Sequence, residues 1–164
     1  MAEITIANVE WEILEDVQQA IAAATISTVK VFDSATVCVS QNAAEDALYV
    51  EQNVCVVLCN EISEAHAVGL ERQGSVSISI LVAYKGDSNE DRIENILRLI
   101  AAVRNAVEET PPANARAVSS EEQFGEFRER LEWGEIELSD DRDPWIIGTI
   151  PLVVNFQVSS RTSH

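Results

Sequence analysis

The chain is short of positive charge, glycine, histidine, cysteine and long apolar runs, and each shortage argues against a class of function. Lys and Arg total 11 against 28 Asp and Glu, a formal net charge of −17. A surface of that sign repels phosphate, which argues against DNA or RNA as a tight ligand and disfavours anionic membranes. Six glycines spread over 164 residues leave no phosphate-cradling loop, and no P-loop, G-x-G-x-x-G, G-x-S-x-G or H-E-x-x-H pattern occurs. Of the two histidines, His164 is the last residue and His66 sits between Ala65 and Ala67 in a polar stretch, so neither is a strong general base.

Three cysteines and no Cys-x-x-Cys give no zinc spacing. Cys38, Cys55 and Cys59 lie in apolar, β-rich runs, where a free thiol behaves as a small hydrophobe. On an extended strand Cys55 and Cys59 face the same side about 13 Å apart, too far for a disulfide. No run reaches the roughly 18–20 apolar residues of a membrane helix. The opening Met1, Ala2, Glu3 and Ile4 lack the basic region and apolar core of a signal peptide. The expectation is synthesis and function in a reducing cytoplasm.

What is present suits one globular domain over residues 1–164, with 46% apolar and 24% charged residues. Val9, Ile13, Val17, Ala20, Ile21 and Ala24 recur at helical spacing and predict a helix over 8–24, capped by Asn8. Residues 25–32 and 36–40 are rich in β-branched side chains and predict strands; 41–53 shows little periodicity and is expected to be a loop. The continuous apolar run 54–59 suits a strand covered on both faces. After a polar stretch at 61–73, expected to be an exposed loop, Val76, Ile78 and Ile80 alternate with Ser75, Ser77 and Ser79, the mark of one buried and one polar face.

Ser88 three residues before Asp91 resembles a capping box, and Ile93, Ile96, Leu97, Ile100, Val103 and Val107 predict a long helix over 89–109, ended by Pro111 and Pro112. Phe124, Phe127 and Leu131 predict a short third helix over 121–131. Residues 133–138 and 145–158 predict closing strands, with a bulge or edge at Pro151. The expected fold is α+β: a mainly antiparallel sheet flanked by an N-terminal helix, a long central helix and a short third helix.

Carboxylates are abundant, so each needs weighing. Asp140, Asp141 and Asp143 could hold a hard cation or form an acid–base pair, but a solvated turn before Pro144 is the simpler account. Glu90, Asp91 and Glu94 already complement the start of their helix. Trp145 reads as core or as an aromatic interface anchor; Trp11 and Trp133 read as core or half-buried.

The layout resembles the tail terminator (tail completion) proteins of long-tailed bacteriophages. The likeness rests on the N-terminal helix up to Ala24, the strand pair 54–59 and 75–84 split by 61–73, the turn Lys85, Gly86, Asp87, Ser88 leading into a long helix, and Asp143, Pro144, Trp145 before the closing strand. It covers about residues 9–158. It implies a structural virion protein, not an enzyme, with neither cofactor nor metal. Such a protein is made in the host bacterial cytoplasm and becomes part of the phage tail or neck. It forms a hexameric ring on the last ring of tail-tube protein, stops tube polymerisation and meets the head–tail connector, while DNA passes through the lumen without specific binding. Under that resemblance the interface residues are Glu61, Glu64, Glu71 and Arg72 in the 61–73 stretch and Asp140, Asp141, Arg142 and Trp145 at the charged turn, with 41–53 ordering on assembly. The alternatives are another head–tail joining or neck protein, or an acidic cytoplasmic adaptor that engages a basic protein partner.

Overall fold

A computed structural model describes residues 9–26, 29–32, 34–38, 53–68, 71–109, 131–139 and 144–159. The elements in chain order are α1 (Val9–Ala22), β1 (Thr25–Ile26), β2 (Val29–Lys30), β3 (Ser34–Cys38), β4 (Asn53–Val68), β5 (Glu71–Lys85), α2 (Asn89–Glu109), β6 (Leu131–Trp133), β7 (Glu137–Leu138) and β8 (Trp145–Ser159). The main sheet runs β3-β4-β5-β8-β6, with β7 also paired to β8. Every pair in it is antiparallel except β3–β4, which is parallel. β1 and β2 form a separate antiparallel pair where one continuous strand was expected.

The two helices among the described residues lie on one face of the sheet. α1 buries Ile13, Leu14, Val17 and Ile21, and α2 buries Ile96, Leu99, Ile100, Val103 and Val107, against Cys55, Val57, Val76, Ile78, Ile80, Val82, Ile146, Ile150, Leu152 and Val154. The Ser/apolar alternation of β5 therefore behaves as its pattern demands: Val76, Ile78, Ile80 and Val82 are buried, and Ser75, Ser77 and Ser79 lie on the other face, partly exposed. That second face carries a smaller cluster of Val54, Val56 and Ala83, with Leu58, Leu81 and Ile147 beside it. Residues 54–57 are thus buried on both sides, as a continuous apolar run requires.

Several expectations need correction. The fold is α+β with two helices among the described residues, not three. Residues 121–130 of the expected third helix lie outside the described residues, and its last residue, Leu131, opens β6 opposite Val154. Leu131 was assigned by helical spacing to Phe124 and Phe127. Its two-residue spacing to Trp133, which packs on the same core, prevails. The stretch 61–73 is not a loop: residues 61–68 complete β4 and 71–73 begin β5, in continuous register from Asn53↔Tyr84 to Val68↔Glu71 with shifts at Cys59/Glu61 and Glu64/His66. On α2, Leu97 is 53% exposed and Leu99 takes the buried place. Trp11, expected in or near the core, is 51% exposed. Residues 39–52, including most of the expected 41–53 loop, lie outside the described residues, as does Asn8.

Pro151 neither breaks nor bulges β8, which runs unbroken from Trp145 to Ser159. The Gly134 N–H donates to the Pro151 carbonyl at 2.9 Å. The N and O of one strand residue point to the same side, so the nitrogen that lacks a hydrogen faces the break between β6 and β7, where no ladder donor is needed. Gly134 is fitted to that approach: a Cβ there would stand 2.8 Å from the Pro151 ring.

Candidate functional site

β8 decides where the expected contact residues fall. At one end Trp145 pairs with Lys85; at the other Ser159 pairs with Glu71. Fourteen steps of about 3.3 Å separate the two ends by roughly 45 Å along the strand. Glu64, Glu71 and Arg72 lie on β4 and β5 toward the far end, Glu64 opposite Gly74 and Arg72 opposite Ala67 and Val158, while Glu61, opposite Ser77 and so level with Val153, lies near the middle. Glu61 is exposed. Trp145 stands at the near end, half-buried, with the Lys85 ammonium 5.6 Å from its ring centroid, within cation–π range. Asp140, Asp141 and Arg142 lie outside the described residues; Pro144, beyond them, lies beside Gly86, whose N–H donates to the Pro144 carbonyl at 3.0 Å. The structure sets Glu64, Glu71 and Arg72 toward one end of the sheet, Glu61 near its middle and Trp145 at the other end, and does not bring Trp145 together with them.

The near end is built by a polar network around the start of α2. The Asp91 N–H donates to Ser88 Oγ at 3.1 Å, the capping interaction the sequence announced. The Tyr84 hydroxyl donates to Asp91 Oδ2 at 3.1 Å, and Asn95 Nδ2 donates to Asp91 Oδ1 at 2.8 Å and to its carbonyl at 2.9 Å. Partial burial, then the hydrogen bond to Asp91 and the negative charges of Asp91 and Asp87, hold the Tyr84 phenol above its ordinary range. The buried Arg92 donates from Nη1 to the Gly86 carbonyl at 2.9 Å. Sequence reasoning passed over Tyr84, Arg92 and Asn95. The available signal was Arg92 itself, a cation on the stripe that continues through Ile96, Ile100, Val103 and Val107.

Beside this network is a cleft of about 230 Å³ lined by Ile26, Val31, Asn53, Tyr84, Asn95, Arg98 and Leu99. That is below the ~300–1,000 Å³ of small-molecule sites and suits at most a single side chain. Its Arg98 already meets Glu94 at 2.7 Å on the exposed side of α2. Cys55 is fully buried and its thiol is pushed well up by that burial. Partial burial and then the Glu10 carboxylate raise the Cys59 thiol, against a backbone hydrogen bond at Glu61 that lowers it. Neither cysteine is an activated nucleophile. Among the described residues no group of three or more His, Cys, Asp or Glu is placed to hold a metal ion, and no helix is long and apolar enough to cross a membrane.

Compared with known proteins, the chain matches no family model and no curated protein.

Proposed function

We propose that the chain is a structural assembly protein: the subunit of a ring at the head-proximal end of a phage tail tube, which stops tube polymerisation and joins the tail to the head connector. One observation supports this reading above the rest. Glu64, Glu71 and Arg72 of one expected contact region lie toward one end of a sheet spanned by the 15-residue β8, and Trp145 of the other lies at the opposite end. A joining protein must offer different surfaces to different partners along one axis, and a stiff sheet holds two such surfaces at a fixed separation. A formal charge of −17 per subunit suits a lumen through which DNA slides without sticking. Ring closure requires a heterologous contact between copies.

Light scattering on the purified chain, across concentration and salt and with added tail-tube protein, tests the proposal. A closed species near six times the 18.0 kDa monomer, alone or on mixing, is the expected result. A monomer indifferent to tube protein in every condition rejects the ring.

A further inference from the structure

β4 is flanked on both sides only for part of its length. Among the described residues β3 pairs with it from Val54 to Leu58. From Cys59 to Val68, ten residues, β4 pairs with β5 alone among the described residues. A strand edge left in this way presents a row of backbone N–H and C=O groups that can receive another strand.

The side chains along that stretch are exposed on both faces: Cys59, Asn60, Glu61, Ile62 and Ser63. Ile62 is opposite the fully buried Val76, on the face that carries the helices, yet is itself 50% exposed. α1 packs against β4 on this face. Trp11, in the first turn of α1, is half exposed on the same side of the sheet. Glu61 is opposite Ser77 on the other side. The register shifts at Cys59/Glu61 and Glu64/His66, together with the charge of Glu61, guard such an edge against chance pairing. Two large apolar side chains left half in water add nothing to that protection.

We infer that the β4 edge from Cys59 to Val68 receives an extended segment of a different protein, one that alternates apolar and basic residues. Its apolar side chains cover Ile62 and Trp11 on the helix-bearing face. Its Lys or Arg side chains meet Glu61 on the opposite face. Main-chain hydrogen bonds supply affinity and the alternating side chains supply selectivity. Local charge selects against a second copy of this chain at this edge. The other edge of the sheet, at β6 and β7, exposes Glu132, Glu135 and Glu137, so copies joined edge to edge would set carboxylates against carboxylates. The inference is independent of ring formation, since the edge is complete within one subunit.

The test uses the full chain and a blocked ten-residue peptide alternating lysine and valine, with a glutamate–valine peptide as the counterpart. Amide hydrogen exchange and Trp11 fluorescence, with Trp133 and Trp145 replaced by Phe, report where the peptide sits. The lysine peptide is expected to slow exchange across residues 59–68 and shift Trp11 emission, and the glutamate peptide is not. Glu61→Lys should weaken the lysine peptide about tenfold and transfer preference to the glutamate peptide. Ile62→Ser should weaken the lysine peptide. Uptake of the lysine peptide without protection of 59–68 would mean diffuse attraction to an acidic surface and would overturn the proposal, as would equal affinity for the Glu61→Lys chain. Protection of 59–68 by self-association in high salt, without peptide, would overturn the choice of partner. None of these outcomes depends on whether the wild-type chain closes into a ring.

Discussion

The two halves of β4 share one neighbour and little else. Residues 54–57 lie between β3 and β5 and are buried on both faces, beneath α1 on one side and within the Val54–Val56–Ala83 cluster on the other. Residues 59–63 remain hydrogen-bonded to β5 but have no third strand beside them among the described residues, and their side chains reach water on both faces. Backbone pairing alone therefore makes a strand. It takes a third strand and a covering layer to make it core. The first half holds the fold together, and the second is a surface held rigid by the first.

The sharpest way to break this contrast is to place the same charge in each half. Val57→Asp buries a carboxylate at a position with no exposure and should cost about 4 kcal/mol or more, enough to unfold a marginally stable domain. Ile62→Asp, five residues on, should change stability by only about 0.5 kcal/mol. Urea denaturation of the two variants measures the difference, and similar losses would mean that the second half is packed as tightly as the first. A smaller effect is expected where the second half is held to its neighbours. Gly74 is opposite Glu64 and Phe156, and a Cβ there would stand 2.5 Å from the Ser63 carbonyl oxygen and 2.8 Å from the Phe156 ring. Because one of those neighbours is backbone, Gly74→Ala should cost about 1–3 kcal/mol and should speed amide exchange in residues 61–68 more than in 54–57.

The mildest variant touches the covered end. Tyr84→Phe removes the hydrogen bond to Asp91 and should cost about 1 kcal/mol at neutral pH. The phenol of Tyr84 is held above its ordinary value in the folded chain. Its contribution to stability is thus complete below the ordinary tyrosine range near pH ~10 and is lost as pH rises through the higher folded value. Denaturation between neutral and strongly alkaline pH should show a shallower alkaline decline for the Phe variant than for the wild type. Parallel curves would assign the decline to other groups.

The same contrast explains what was legible in the sequence. The apolar run from Val54 and the alternation from Ser75 marked strands because at least one face of each is buried, and the stripe of α2 marked a helix for the same reason. Residues 61–68 gave no such mark. Residues 61–63 are exposed on both faces and so have no period of two to display, and Glu61, Ser63 and Glu64 look like loop residues when only their polarity is visible. Pro151 misled because a missing hydrogen bond matters only on the side where a partner waits, and that side is set by β6 and β7, far away in the chain. Of the eight expected interface residues, Glu61 and Trp145 have side chains whose surroundings are described, and both are accessible at least in part. Their separation, Trp145 at one end of β8 and Glu61 level with Val153 near its middle, depended on strand lengths that the polar stretch concealed. Arg92 was legible as a cation on an apolar stripe, but its partner, the Gly86 carbonyl, belongs to a turn whose shape only the fold supplies.

The pairing of β5 with β8 also sets a timetable. Sixty positions separate Lys85 from its partner Trp145. At about 5–20 residues per second, a ribosome takes roughly 3–12 s to cross that interval. A β4–β5 hairpin can form within microseconds of leaving the exit tunnel. For those seconds β5 waits with its second side unpaired, although in the finished protein it is the middle strand and among the best protected. The strand that becomes least available to partners in the folded state is, during synthesis, the one most open to a wrong partner.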